Sequence, residues 1–324
     1  MSRVLITGGS APLGAAVAKR LLADPAYDVR VSDTRPAPRW MREGCEMHRG
    51  ELRLAAQALA AVRGCAHVVH IAQSEPTDPQ APYALLERES AVQNALTRAA
   101  LEREVERFVY VSSPLVFERA EQFPTSEEQL AQCPPPDSAQ GFAALSGERQ
   151  LAAAQRERGL EYAICRPFGA YGPISQPPDP GPARDLSELI EQALAGERPL
   201  GIFDTGEQRL TPTHVDDLAA GIVEALASPA AANQDFNLAA GRECSLREIA
   251  ELAWQAGEGQ ADGFVLEALP ARKSDVARSY PSARKAHRLL GWEAQIELEQ
   301  GIATVAQALA ARPSPSAIPS PAGA

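Results

Sequence analysis

The chain has 324 residues, 45% hydrophobic and 23% charged, proportions of a globular protein that exclude a disordered chain, a coiled coil and a collagen-like repeat. Acidic residues outnumber basic ones by 42 to 31, for a formal charge of −11. That is the wrong sign for neutralising phosphate backbones, so neither nucleic acid nor membrane is an expected partner.

The first element is an apolar, β-prone run from Val4 to Thr7 that stops at Gly8 and Gly9; Pro12 then opens a helical pattern carrying Leu13, Val17, Leu21 and Leu22. A second strand, Tyr27 to Ser32, ends at Asp33, and buried-strand patterns follow at His67 to Ala72, Phe108 to Ser112 and Tyr162 to Arg166. Helical segments at Leu52 to Val62, Leu85 to Leu101 and Ala143 to Arg158 separate them. Strand and helix in alternation predict an α/β fold with a doubly wound parallel sheet of Rossmann type.

Past Pro167 the texture changes. ISQPPDPGPARD is a proline-rich loop, and the later helical patterns, Asp216 to Ala227, Ser245 to Gln255 and Pro281 to Leu290, are shorter, the first two with an Asp or Ser able to cap them. The expected organisation is a dinucleotide-binding domain over 1–170 and a smaller substrate lobe over 171–311, with part of 205–245 returning to the first domain. The tail from Arg312 to Ala324 is too rich in Pro and Ser to pack and is expected to be disordered. Five scattered cysteines lack any Cys-x-x-Cys pair, which predicts neither disulfides nor a metal site and suits the reducing cytoplasm. The N-terminus is too soon broken by glycines to be a signal peptide, and no stretch reaches transmembrane length.

The turn TGGSAPLG spaces Gly8, Ala11 and Gly14 as G-x-x-A-x-x-G. Small residues there let backbone approach a pyrophosphate, while the helix N-terminus, with Pro12 and Leu13 in its first turn, presents free N–H groups. Glycine turns also serve plain packing. Asp33, closing the second strand, adds context, because a carboxylate there can accept hydrogen bonds from an adenosine ribose; the alternative is a solvated loop aspartate.

These segments resemble the extended short-chain dehydrogenase/reductase family, the group of nucleotide-sugar epimerases and dehydratases, from Arg3 to about Ala310. TGGSAPLG resembles its T-G-x-x-G-x-x-G, and GELRLAAQAL its G-D-L-x-D, which implies that Glu51 and Leu52 lie near adenine. VVHIAQ is similar to V-x-H-L-A-A and places Ile71 and Ala72 beside the cofactor, as ICRPFGAYGP, similar to L-R-P-x-N-V-Y-G-P, places Pro167. RFVYVSSPLVFE resembles the strand ending in S-S-x-x-V-Y-G, and THVDDLAAGIVEAL resembles H-V-D-D-x-A-x-A. The resemblance implies a nicotinamide dinucleotide, a small-molecule substrate and a homodimer joined by the helices at Leu85 to Leu101 and Ala143 to Arg158. NAD is favoured over NADP because Asp33 would repel a 2′-phosphate; Arg35, able to pair with that phosphate, keeps NADP open.

The catalytic segment departs from the family. Its tyrosine takes a hydroxyl proton, its lysine lowers the phenol's pKa, and a serine holds the substrate oxygen. Ser113 matches the serine. PPPDSAQGFAALSGE aligns with P-x-x-P-x-S-x-Y-G-x-S-K-x-x-G-E through Pro135, Ser138, Gly141, Gly147 and Glu148, which puts Gln140 at the tyrosine position and Ala144 at the lysine position. The chain's three lysines, Lys19, Lys273 and Lys285, all lie elsewhere, and no tyrosine falls between Tyr110 and Tyr162. A neutral amide only hydrogen-bonds, and losing a positioned acid–base group costs about 100- to 10,000-fold in rate. Pro114 and Leu115 stand where the dehydratases carry Asp-Glu, and Leu210 and Thr211 where many relatives carry Arg-Asp toward a nucleotide diphosphate; Arg209 or Arg278 could compensate.

Other candidates have plainer explanations. His214 with Asp216 and Asp217 reads as a helix start and Cys165 as buried packing, which leaves Cys133 as a candidate nucleophile. Glu127, Glu128 and Asp137 read as surface charges that could replace the missing base. The expected function is an NAD(P)-binding oxidoreductase or epimerase-type enzyme with a non-standard site around Ser113 and Gln140, acting on a hydroxyl or keto small molecule such as a sugar derivative. Two alternatives stay open: a non-redox enzyme that retains its cofactor, and a catalytically silent dinucleotide-binding sensor or partner protein.

Overall fold

The structure is a computed structural model describing residues 1–71, 82–174, 183, 185–257, 263–271 and 275–312. Strands β1 (Ser2–Thr7), β2 (Tyr27–Ser32), β3 (Glu46–His48), β4 (His67–Ile71), β5 (Arg107–Val111) and β6 (Tyr162–Pro167) join a later strand, Gln234–Leu238, in one seven-stranded sheet. Its order is Gln234–Leu238, β6, β5, β4, β1, β2, β3, and every pair is parallel. The chain leaves β1 toward one edge and returns from β3 to β4 on its other side, so a crevice opens between β1 and β4 at their carboxyl ends.

Sequence period explains how the sheet is covered. Val4 and Ile6 of β1 enter one core and Leu5 the other, all fully buried; each such side chain contributes about 1.5–3 kcal/mol. On the first face α1 (Pro12–Leu22) packs Leu13, Val17 and Leu21 on the sheet, and α2 (Arg39–Gly44) adds Met41. The second face is covered by α3 (Ala55–Val62), α4 (Pro82–Glu102) and α5 (Ala139–Arg158), through residues such as Val62, Leu96 and Leu151.

The second half comprises β7 (Ala170–Tyr171), α6 (Leu186–Leu194), β8 (Leu200–Phe203), β9 (Arg209–Leu210), β10 (Thr213–His214) and α7 (Val215–Ala227), after which the seventh sheet strand is β11. Then come β12 (Cys244–Ser245), α8 (Leu246–Ala256), β13 (Leu266–Leu269), β14 (Arg278–Ser279), α9 (Arg284–Leu290) and α10 (Leu298–Ala310). Helices α6, α8 and α10 enclose a separate core of Leu189, Ile190, Ala193, Ile249, Ala253, Ile302 and Val305. Helix α7 instead packs on α1, with Leu218 and Ile222 in the sheet's first core.

Element ends move for local reasons. Helix α5 starts at Ala139 rather than Ala143 because the Ser138 hydroxyl accepts the Gly141 N–H at 3.0 Å. Helix α3 begins at Ala55 rather than Leu52. Pro281 pairs with Thr125 in a β-bridge, which delays α9 to Arg284. His214, not Asp216, caps α7: its Nδ1 accepts the Asp216 N–H at 3.3 Å. Arg312, the first residue of the expected tail, is held by Glu191 at 2.8 Å and by the Ile174 carbonyl. Residues 313–324, Ala72, Lys273 and most of the proline-rich loop lie outside the described residues.

Candidate active site

Gly8, at the carboxyl end of β1, has φ +68°, and its N–H donates to the Ser32 carbonyl of β2 at 3.0 Å. A Cβ on Gly14 would lie 2.3 Å from the Gly8 oxygen, so only glycine lets α1 start this close beneath the turn. Ala11 caps α1 without a side-chain bond, and the first turn carries no acid, leaving the N–H groups and positive dipole end of α1 free for an anion. The Ser10 hydroxyl is buried without a partner. Gly8, Ser10 and Ala11 spend their N–H groups within the chain, so a pyrophosphate would meet the unpartnered Ser10 hydroxyl and the uncapped positive end of α1, and the turn fits a dinucleotide.

Asp33 is tied into this turn. Its Oδ2 accepts the Ser10 N–H at 2.8 Å and its Oδ1 the Arg35 N–H at 2.9 Å, with the Arg35 guanidinium 3.5 Å away. A carboxylate has about four acceptor positions, so capacity for a ribose hydroxyl remains. Ile71 and Pro167 are buried at the ends of β4 and β6. Leu52 packs against the core, whereas Glu51 is exposed and paired with Arg53 at 2.5 Å.

Ser113 follows β5, two strands from β1 and so about 10 Å away across the crevice. Its Oγ accepts the Leu115 N–H at 3.2 Å and thereby caps a 3₁₀ turn, Pro114–Phe117. That bond uses a lone pair and leaves the hydroxyl proton to donate. Gln140 is exposed in the first turn of α5, which lies against the 3₁₀ turn: a Cβ on Gly141 would sit 2.7 Å from the Leu115 oxygen. One helical turn on, Ala144 is buried with Val116, Phe117, Phe168 and Ala239.

Sequence reasoning missed Glu118. Its Oε1 accepts the N–H groups of Asp137 and of Ser138, the latter at 2.8 Å, and its Oε2 accepts the Ser138 hydroxyl. One carboxylate thus ties the end of the 3₁₀ turn to the N-terminus of α5. The only available signal was its place in SSPLVFE, where the family motif has glycine.

Beneath Ser113 lies a buried ionic network. Glu148 of α5 pairs bidentately with Arg166 of β6, both bonds 2.8 Å, and accepts the Ser112 hydroxyl at 2.7 Å. Arg166 also reaches Asp235 at 2.9 Å, whose other oxygen takes Lys285 at 2.6 Å. Burial opposes the charge on Arg166, but Glu148 and Asp235 outweigh it and raise the guanidinium pKa. Burial likewise pushes Asp235 upward, yet Arg166 and Lys285 hold its carboxyl below the usual range. Lys285 is therefore committed here, and Lys19 lies over the Trp40 ring. Tyr110 is buried on the face of the sheet covered by α5, its hydroxyl against Gly147, where burial and then Glu148 and Glu89 raise its phenol pKa.

Glu127 is buried and accepts the Asn237 N–H at 2.8 Å, and burial raises its pKa; Glu128 and Asp137 are more open. Cys165 is fully buried, which pushes its thiol up to about 12. His214 bonds Thr304 at 2.9 Å. Among the described residues no three metal-ligating side chains converge, and no helix is long and apolar enough to cross a membrane.

The second lobe holds a cavity of about 200 Å³ lined by Leu186, Leu189, Ile202, Phe203, Gln208 and Arg209, among others. The Gln208 side-chain oxygen is buried without a partner. Arg278 and Arg209 share the Glu243 carboxylate, at 2.6 and 3.5 Å.

Residues 4–239 match the model of the NAD dependent epimerase/dehydratase family. UDP-glucuronic acid decarboxylase 1 of Xenopus tropicalis is 32% identical over 199 residues, 60% of this chain; the chain thus spans 45% of that relative's length. The UDP-glucose 4-epimerase of Thermotoga maritima, solved with UDP-glucose, superposes with a TM-score of 0.82 at 24% identity, covering 95% of this chain and 98% of its own. MoeE5, solved with UDP-glucuronic acid and NAD, superposes with a TM-score of 0.80 at 26% identity, over 95% and 98% of the two chains. With a parallel sheet of seven strands, a glycine turn at its switch point and a family match over most of its length, this chain belongs to the NAD-dependent epimerase/dehydratase family.

Proposed function

We propose that the chain is an NAD-dependent enzyme acting on a nucleotide sugar, with an active site in which Ser113 and Gln140 stand where the family keeps Ser, Tyr and Lys. The observation that carries this is the placement of the glycine turn and Ser113 at the carboxyl ends of β1 and β5, either side of β4. NAD would rest its pyrophosphate on the Gly8 to Gly14 turn and its ribose against Asp33. When bound it supplies a hydride acceptor. The nucleotide part of the substrate would occupy the second-lobe cavity, where Gln208 offers an unused acceptor and Arg209, which also pairs with Glu243, lines the wall.

Ser113 is held so that its hydroxyl proton can point at a substrate oxygen, while the Gln140 amide can orient that oxygen but cannot take its proton. Turnover is therefore expected at about 0.1 to 0.001 per second, the usual 10 per second less 100- to 10,000-fold. A homodimer joined across α4 and α5, which carry the exposed Tyr83 and Phe142, belongs to the same proposal.

The test incubates the purified chain with NAD and either UDP-glucose or UDP-glucuronic acid and separates the products chromatographically. Slow conversion that Ser113→Ala lowers at least tenfold supports the proposal. Binding of NAD without any conversion would favour a silent dinucleotide-binding protein, and failure to bind NAD would overturn both.

A further inference from the structure

We infer that Glu118 is a positioning residue that fixes Gln140 relative to Ser113. Ser113 sits at the start of the 3₁₀ turn and Gln140 in the first turn of α5, with more than twenty residues of chain between them. Two things bring these elements together. One is shape: α5 approaches so closely at Gly141 that an added Cβ would meet the Leu115 oxygen at 2.7 Å and the Pro136 side chain at 2.7 Å. The other is Glu118, whose carboxylate takes the Ser138 N–H at 2.8 Å, the Asp137 N–H and the Ser138 hydroxyl.

Ser138 in turn accepts the Gly141 N–H at 3.0 Å. Carboxylate, cap hydroxyl and helix N–H thus form one chain of hydrogen bonds ending beside Gln140. The negative charge also lies at the positive end of a twenty-residue helix, where it is favoured. Glycine at this place, as in the family motif, could make none of these bonds. Glu118 thus holds the N-terminus of α5 in register with the serine turn, and with it Gln140. Its consequence for ligand binding rests on the proposed function, whereas the clamp itself does not.

Hydrogen exchange of the purified chain and of Glu118→Ala and Glu118→Gln tests the clamp. Amides 137, 138 and 141 are expected to exchange at least tenfold faster in Glu118→Ala and by a smaller factor in Glu118→Gln, which keeps one acceptor. Amides 147 to 154, mid-helix, should not change. Unchanged exchange at 137 to 141, or a uniform rise along α5, would overturn the inference.

Positioning is tested separately by calorimetric titration with UDP-glucose in the presence of NAD. Glu118→Ala is expected to weaken binding about threefold or more, and that loss should vanish in a Gln140→Ala background. An equal loss in both backgrounds would show Glu118 to be structural only. If the wild type binds no UDP-glucose, the proposed function fails, and exchange alone still decides the clamp.

Discussion

Substituting Gly14 by alanine separates a dinucleotide site from a mere packing turn. Its Cβ would lie 2.3 Å from the Gly8 oxygen, 2.7 Å from Gly9 Cα and 3.0 Å from the Gly8 carbonyl carbon, all backbone atoms. Ordinary contacts are about 3.5 Å, so the turn and the helix must part by about 1 Å. Overpacking of this kind costs about 1–3 kcal/mol, and at about 2–4 °C per kcal/mol the melting temperature should fall by about 2–12 °C. A displacement of about 1 Å in a cradle of N–H groups should weaken NADH on the order of 10- to 100-fold, or about 1.4–2.7 kcal/mol. Fluorescence titration with NADH and thermal unfolding measure the two effects. Gly241→Ala, where an added Cβ meets nothing within 4 Å, is the control and should change neither. A Gly14→Ala chain that melts early but binds NADH within twofold of wild type would refute the idea that this turn holds the cofactor.

Arg166→Ala should cost about 3–5 kcal/mol, because it strands Glu148 and Asp235 in the interior; a denaturant midpoint unchanged from wild type would contradict this. His70 is fully buried, and burial lowers its pKa to about 4 from 6.5. The unfolded chain then binds the proton that the folded one refuses, so stability is whole above about pH 6.5 and declines toward pH 4, by up to about 3 kcal/mol. His70→Phe should flatten that part of a urea-midpoint profile, and an unaltered slope would assign it to other groups. Ala144→Lys alone should lower stability, since the methyl is packed among Val116, Phe117 and Phe168. Combined with Gln140→Tyr it distinguishes two histories: a large gain in alcohol oxidation marks a decayed site, and loss of the native activity marks a repurposed one.

Much of this molecule could be seen in its sequence because local patterns and tertiary needs coincide there. Val4 to Thr7, Gly8 and Pro12 each announce their conformation through branching, missing Cβ or fixed φ, and β1, the turn and α1 follow. Strand β11 was harder, since QDFNL is short and half polar. Asn237 is fully buried only because Thr125 and Glu127 satisfy its side-chain and backbone N–H groups from another loop. Glu118 likewise looks like any surface acid until Ser138 is folded against it. Motif spacing singles out Ser113 and Gln140 as candidates, but the Glu118–Ser138 contact between their segments spans twenty residues of chain, and no periodicity records such contacts.

The most direct measurement is a crystal structure of the chain with NAD bound. The pyrophosphate should lie on the Gly8 to Gly14 turn, with the nicotinamide end between Ser113 and Gln140 and with no phenol or ammonium group within hydrogen-bonding distance of it. A dinucleotide bound elsewhere, or a tyrosine or lysine side chain touching the nicotinamide ribose, would contradict this.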